Sequence, residues 1–373
     1  MEDTKSPAAF TCPAPLPVKD AVVLGHGSGG TLTAELIRSV FLPAFHNPLL
    51  AKLNDQAVVS VNGARLAFTT DSFVVKPLFF PGGDIGSLAV HGTVNDLAMG
   101  GARPLFLSVG FILEEGLSLE LLRKVVASLS RAAAEAGVQV VTGDTKVVEK
   151  GSGDQLFINT TGIGVVPEGL ELSAERARPG DKVLLNGYIG DHGIAILGQR
   201  EGLEFESPIR SDSAALYGLV AEMLAAKDGA ESAASGAPGE RRSCAGRGDD
   251  IRCMRDPTRG GLSSALNEIA GQSQVGIELD ESAIPVREEV RGACELLGLD
   301  PLYVANEGKL IAIVAPDAAD QILRAMRRHP LGHDSRVIGT VVAERKGLVT
   351  MRTALGTTRI VDMLAGDQLP RIC

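Results

Sequence analysis

Apolar positions recur along the chain with two different periods, and the changes of period mark out its elements. Leu32, Leu36, Ile37, Val40 and Phe41 fall on one helical face and predict a helix that begins near Thr31. Strand-like runs follow at Ala57–Val61, Leu66–Thr70 and Leu105–Ile112. Ser118 reads as an N-cap, and Leu122, Val125, Val126, Leu129 and Ala133 behind it form a helical stripe stopped by Gly137. Strands are expected again at Val138–Thr142 and Leu156–Val166. Strands broken by long helices predict an α/β or α+β domain over residues 18–167.

The turn chemistry of Arg178-Pro-Gly-Asp181 marks a boundary. A second domain, residues 178–347, then opens with the strand Lys182–Asn186. It has helix candidates near Ser213–Ala226, Gly261–Ala270 and Ala318–Arg327, and a strand at Leu310–Val314. Between its first two helices lies Lys227–Asp250, poor in apolar residues and rich in Gly, Ala, Ser and charge. This composition reads as a flexible insertion, 227–250. Residues 1–17, rich in Pro and Ala, read as a disordered leader, and 348–373 as a C-terminal segment ending in a mobile tail.

At 45% hydrophobic and 22% charged residues the chain can bury two cores and solvate its surface. A net charge of −10 argues against nonspecific nucleic acid or anionic membrane binding, both of which need basic surface. The opening residues have no apolar stretch of the signal-peptide kind, and no run approaches a membrane span. Five cysteines, Cys12, Cys244, Cys253, Cys294 and Cys373, are too widely spaced for a disulfide framework or a zinc site. A reducing cytoplasm is the expectation.

Four features carry candidate chemistry. Gly25-His-Gly-Ser-Gly-Gly30 satisfies the letters of a dinucleotide loop, but the acidic residue that loop requires is out of place. No Gly-Lys-Ser/Thr follows, which excludes a Walker A loop. A plain glycine turn and a backbone surface for a phosphate or a substrate arm both remain open. The second feature is a set of aspartates placed at strand ends or before a helix: Asp71, Asp96, Asp144 and Asp256. One such residue is commonly a turn former or cap. Four flanked by Gly, Thr or Asn suit Mg²⁺, which takes hard oxygen ligands shared with phosphates. Lys146 would add positive charge near a phosphate. Third, Asn306-Glu-Gly-Lys309 is either a simple turn or the seat of a carboxylate at a reaction centre. Fourth, the sequence ends in Pro370-Arg-Ile-Cys373, where a thiol with no chain beyond it can enter a narrow site. Arg371 would favour the thiolate. Prenylation is excluded, because it needs a cysteine four from the end.

The ordered segments GHGSGG, TTDSFVV, HGTVNDLAMGG, TGDTKVV, RDPTRGGL, NEGK and PRIC resemble the HypE family of carbamoyl dehydratases, hydrogenase maturation factors. That family groups with the aminoimidazole ribonucleotide and selenophosphate synthetases. The resemblance spans nearly the whole chain, and the leader and the insertion depart from it. It implies an N-terminal domain that pairs with its twin in a homodimer as a shared β-barrel, and a C-terminal α+β sandwich, with nucleotide between the domains.

For the site, the resemblance implies that Asp71, Asp96 and Asp256 bind Mg²⁺–ATP, with Asp144 and Lys146 close by. Gly27, Gly29, Gly30, Thr93, Asn95, Thr145 and Asn306 are the further nucleotide-binding expectations. Cys373 maps onto the thiol on which HypF, a carbamoyltransferase, loads a carbamoyl group, and HypC–HypD would accept the cyano product. ATP would phosphorylate the carbamoyl oxygen, so that phosphate leaves as a base removes the N–H protons. Glu307 is the expected base, with Lys146 as rival and His26 and His91 as further candidates. Two other functions fit less of the sequence. One is a synthetase that phosphorylates a free small molecule and has no use for Cys373. The other is a noncatalytic ATP-binding carrier.

Overall fold

The computed structural model describes residues 21–202, 209–226 and 250–366. The leader 1–17, all of the insertion except Asp250, and residues 367–373 with Cys373 lie outside the described residues.

A 3-10 turn, Leu24–Gly27, leads into α1 (Thr31–Leu36), which passes through a π-helical turn, Ile37–Phe41, into α2 (Leu42–Ala44). The helix expected from Thr31 is present. Its apolar face is not buried, and Val40 and Phe41 stay exposed.

The first sheet is built from β1 (Ala57–Val61), β2 (Ala64–Phe73), β5 (Arg103–Glu114), β6 (Gln139–Val148) and β7 (Leu156–Val165), in the order β1-β2-β7-β5-β6. Between β2 and β5 come a small ribbon, β3 (Phe79–Phe80) with β4 (Gly83–Asp84), and helix α3 (Ile85–Met99). Only β5 and β6 run parallel, and the crossover they require is α4 (Leu119–Glu135). Ser118 is its N-cap, and Val125, Leu129, Ala132 and Ala133 bury the helix against the core. Val126, placed on that stripe by the sequence, is exposed.

Helix α3 was not among the helices the sequence pattern predicted. Asp84 caps it, accepting the Gly86 and Ser87 amides at 2.8 and 3.2 Å. Twelve of its fifteen residues are buried, so it shows no polar-against-apolar stripe for a sequence pattern to detect. It also binds the two domains together. Val90 and Val94 enter the first core, while Leu97 and Met99 pack with Leu216, Leu219 and Met223 of the second domain. Each such side chain contributes about 2 kcal/mol on burial.

The second domain runs β8 (Lys182–Leu185), α5 (Asp191–Glu201), α6 (Tyr217–Ala225), β9 (Ile251–Arg255), α7 (Gly261–Ser273), β10 (Gly276–Asp280), α8 (Glu288–Leu297), β11 (Ile311–Val314), α9 (Ala319–Arg328), β12 (Arg336–Val342), β13 (Val349–Arg352) and β14 (Thr358–Ile360). Its sheet has the order β14-β13-β10-β12-β8-β11-β9. Both faces are covered, and the side-chain alternation serves two cores. Val183, Leu185, Ile311 and Ile313 point to the α7 side, while Leu184, Ala312 and Val314 point to the α6 and α9 side. This is the expected α+β sandwich. The sheet continues through β13, parallel to β10, and β14, so it takes in the first part of the C-terminal segment 348–373, upstream of the expected tail.

Among the described residues only one face of the first sheet is covered. On the other, Phe68, Ile163 and Phe106 stand directly opposite one another across three strands, all exposed.

Candidate active site

A cleft of about 250 Å³ lies where β2, α3, the start of α7 and the turn carrying Glu307 meet. It is lined by Asp71, Asp96, Asp256 and Glu307, which the sequence singled out, and by Asp55, Glu268, Arg255 and Arg259, which it did not assign. Strand parity on β2 explains part of this. Thr69 and Asp71 point to the helix side of the sheet, toward α3. There a Cβ on Gly92 would lie 3.6 Å from Asp71 Oδ2, and one at only 2.8 Å from the Phe73 ring. The bare backbone lets the helix approach the carboxylate.

The charges do not balance. Arg255 bonds Asp55 at 2.5 Å and Glu268 at 2.8 Å, which satisfies those two acids. Asp71, Asp96, Asp256 and Glu307 then face one further cation lining the cleft, Arg259. Burial, with repulsion from Asp256, Asp71 and Asp55, raises the Asp96 pKa well above the carboxylate range. Burial and Asp55 push Asp256 up to about 8. Burial, with repulsion from Asp71 and Asp256, raises Glu307 well above its usual value. The mutual repulsion of these acids is what a cation among them would relieve. Among the described residues no three acidic, His or Cys side chains converge as a ready-made metal cage. The phosphate side is also provided for. The N-terminus of α7 opens with Gly260 and Gly261, both at positive φ, and the buried Ser264 hydroxyl on the cleft wall has no partner.

The glycine-rich loop lies at the edge of this cleft. Gly29, at φ +74, is in the lining, and a Cβ there would meet the Arg259 carbonyl at 2.5 Å. Arg259 Nη1 donates to the Gly27 carbonyl at 3.1 Å. On its other side the loop touches the chain's C-terminal segment: a Cβ on Gly30 would lie 2.1 Å from the Leu364 carbonyl oxygen. The loop backbone is thus in contact with the cleft wall on one side and with Leu364 and Gly366 on the other.

Several expected site residues lie elsewhere. Both N–H groups of the Asn95 amide donate to second-domain carbonyls, Ala214 at 3.0 Å and Glu307 at 3.1 Å, and its Oδ1 accepts the Leu216 amide. Those of Asn306 donate to Pro257 and Val304, while its Oδ1 accepts the Gly190 amide at 2.7 Å. Thr93 is buried on Thr160. These three side chains brace the site and have no free donor to offer a nucleotide. His91 is half-buried with Nδ1 on Ser213 Oγ at 2.9 Å, and desolvation lowers its pKa to about 4, which makes it a weak base. His26 Nδ1 caps its own turn by accepting the Val23 amide.

Asp144 and Lys146 pair with each other at 2.7 Å and are exposed. Register places Asp144 opposite Gly110, Gly110 opposite Asn159, and Asn159 opposite Ser72. Asp144 is therefore three strand spacings, roughly 14 Å, from Ser72, on the open face of the sheet. Asp71 faces the other way. Within one chain Asp144, Thr145 and Lys146 are not brought to the cleft, contrary to expectation.

Sequence reading also missed Asp212. Its carboxylate accepts the Glu307 amide at 3.1 Å and the Gly308 amide at 3.3 Å, and pairs with Lys309 at 2.9 Å. Lys309, His192 and the Glu307 amide hold its pKa below the usual value although the carboxylate is shielded from solvent. No local signal marked it, because its partners lie about a hundred residues away.

The AIR synthase related protein family matches this chain twice, its N-terminal domain at residues 53–166 and its C-terminal domain at 178–352. The carbamoyl dehydratase HypE of Azotobacter vinelandii is 58% identical over 95% of this chain and 97% of its own length. A crystal structure of a HypE–HypF complex superposes with a TM-score of 0.79, at 48% identity, covering 88% of this chain and 99% of that one. A structure of HypE in complex with ATP gives 0.75 at 51% identity, covering 95% and 100%.

Proposed function

Since the chain belongs to the HypE carbamoyl dehydratases of the AIR synthase related family, we propose that it performs their reaction on its own Cys373. The enzyme is an ATP-dependent dehydratase of hydrogenase maturation. Carbamoylated Cys373, S–C(=O)–NH₂, reacts with ATP to give S–C≡N, ADP and phosphate. The carbonyl oxygen departs within the phosphate, and the two N–H protons pass to base and solvent.

The observation that carries this reading is the cleft of uncompensated acids beside the root of the arm that bears the thiol. Bound Mg²⁺–ATP supplies the phosphoryl group that lets the carbamoyl oxygen leave. Asp71, Asp96 and Asp256 are the carboxylates that would share Mg²⁺ with phosphate oxygens, one or two to an ion, and the α7 N-terminus with Ser264 would receive phosphate oxygens. Arg259 offsets charge that develops on the transferred group. Glu307 takes an N–H proton. Burial and, after it, repulsion from Asp71 and Asp256 raise its pKa, which makes its carboxylate a stronger base than a free one, and a cation between Asp71 and Asp256 would relieve the repulsive part.

HypF loads the carbamoyl group, as the HypE–HypF complex of a relative supports. The cyano group passes to HypC–HypD. The exposed row Phe68–Ile163–Phe106 supports pairing of two copies as a homodimer through their open sheets. Such pairing is the route by which Asp144 and Lys146 reach a nucleotide, on the partner's cleft. Cys253 and Cys294 are free thiols, in keeping with a cytoplasmic setting, and among the described residues no helix is long and apolar enough to cross a membrane.

Calorimetric titration with ATP tests the assignment of the acids. Mg²⁺ is expected to be required, and Asp256→Asn is expected to weaken Mg²⁺–ATP binding at least tenfold. Equal affinity in excess chelator, or in the variant, would contradict it.

A further inference from the structure

A second cavity, of about 500 Å³, opens in the second domain between the start of α5, the start of α8 and the segment 330–334. It shares no lining residue with the acidic cleft, and its volume is that of a small-molecule site. Asp191, 5% exposed, accepts Arg287 Nε at 3.0 Å through Oδ2, while its Oδ1 has no partner among the described residues. Arg287 lies over the Tyr188 ring, 4.3 Å from its centroid, and neither Nη group donates to an acceptor among the described residues. Arg210, exposed on the same lining, makes no ion pair among the described residues. The nearly buried Lys309 pairs with Asp212 at 2.9 Å. At Gly187 the wall is bare: a Cβ there would meet nothing nearer than Lys309 Cε at 3.6 Å.

We propose that this cavity is a second ligand site, for a small organic anion that carries a phosphate or carboxylate group together with a hydroxyl or amino donor, and that its occupancy reaches the turn carrying Glu307. The consequence for Glu307 rests on the reading of that residue as the base, whereas the binding does not.

The open guanidinium edges select the anion. Arg210 and Arg287 offer planar forks that fit two oxygens of a carboxylate or phosphate. Stacking on Tyr188 fixes the plane of one fork before a ligand arrives. The volume is far more than a bare ion fills, so the anionic group belongs to an organic molecule. The acids of the lining select the rest of it. Asp191 and Asp212 are already neutralised, by Arg287 and Lys309. Glu289 and Asp334, both exposed, repel a ligand that is anionic throughout. A hydroxyl or amino group turns them into acceptors and gives Asp191 Oδ1 the donor it lacks.

Lys309 links the cavity to the turn. Its partner Asp212 accepts the Glu307 and Gly308 amides. An anion in the cavity competes with Asp212 for the Lys309 ammonium. A carboxylate as shielded as this one, once deprived of its counter-charge, takes up a proton or shifts toward solvent. Either response weakens its hold on the two amides, so the ligand loosens the turn that presents Glu307.

Calorimetry on the full-length protein reads the site, with the acidic cleft first saturated by Mg²⁺ and a non-hydrolysable ATP analogue. The probes are inorganic phosphate, glycerol 3-phosphate, succinate and L-aspartate, which separate phosphate from carboxylate ligands. At least one is expected to bind tighter than about 1 mM, and the donor-bearing member of its pair about threefold or more tighter than the other. Arg287→Gln is expected to weaken that probe about tenfold or more, and Arg210→Ala about threefold or more. Arg210 is exposed and makes no ion pair, so Arg210→Ala carries the test if Arg287→Gln folds poorly. Absence of any binding tighter than about 1 mM, or unchanged affinity in the folded variants, would overturn the site. Equal affinity within both pairs would overturn the donor's part. Hydrogen exchange at the Glu307 and Gly308 amides is expected to quicken about threefold or more when the probe is bound, and unchanged exchange would overturn the link to the turn. Failure of the carbamoyl reading would leave both readouts as they are and would show only as missing dehydration in wild type.

Discussion

Asp212 holds Glu307 by its backbone: the carboxylate accepts the Glu307 amide at 3.1 Å, while Lys309 neutralises it from 2.9 Å. The turn that presents the expected base is therefore anchored by a buried ion pair from a distant segment. Asp212→Asn removes the counter-charge of a lysine whose side chain is only 12% exposed. Breaking a buried pair in this way costs about 3–5 kcal/mol. The variant is expected to melt lower and to lose turnover more than tenfold, with Mg²⁺–ATP affinity changed less than threefold. An unchanged kcat in a folded Asp212→Asn protein would show that the anchor does not position the base.

Glu307→Gln keeps the shape of the side chain and removes both its charge and its basicity. Dehydration of the carbamoylated thiol is expected to fall about 10²–10⁴-fold. The protein without nucleotide should be at least as stable as wild type, because one of four crowded acids has gone. Single-turnover rates and thermal melts check the two halves. Full dehydration with ATP bound would remove Glu307 from the role and leave Lys146 as the rival.

Burial pushes the Cys253 thiol up to about 12 and the Cys294 thiol to about 11, so both stay protonated and shielded at neutral pH. Iodoacetamide is expected to leave both unmodified in the folded protein and to label Cys373. Peptide mapping reads this. Labelling of Cys253 ahead of Cys373 would contradict it.

His91 has a folded-state pKa near 4 against 6.5 when free. It is neutral in the fold, so its contribution is fully present above pH 6.5. That contribution is lost as pH falls toward 4, by up to roughly 3 kcal/mol. The clustered acids have raised pKa values and act in the opposite sense. The difference between wild type and His91→Gln isolates the histidine. Denaturant melts from pH 4 to 7 should show a shallower loss on acidification in the variant, and parallel curves would refute the shift.

Much of the fold was legible because it obeys simple periods. The α4 stripe, the strand at Ala57–Val61 and the alternation in β7 are local patterns that survive packing. Helix α3 was not legible, since a helix buried all round has no polar face. Asp71, Asp96 and Asp256 from one group of aspartates and Glu307 from a separate motif share one cleft, whereas Asp144, read in the same group, is not in its lining. Asn95, Asn306 and Thr93 were assigned to nucleotide because they sit in the same motifs, whereas their polar atoms are taken up by backbone and by Thr160. Asp144 and Lys146 show a different limit: strand parity, set by pairing with β5, decided which face they occupy.

The central claim is that a carbamoyl group on Cys373 loses its oxygen at the expense of ATP. Intact-mass and fragment analysis of the protein incubated with HypF, carbamoyl phosphate and Mg²⁺–ATP reads this directly. The account predicts a carbamoyl adduct on Cys373 that then loses the mass of one water, only when Mg²⁺–ATP is present, and no adduct in Cys373→Ser. A carbamoyl adduct that persists unchanged in the presence of Mg²⁺–ATP, or water loss mapped to another residue, would contradict it.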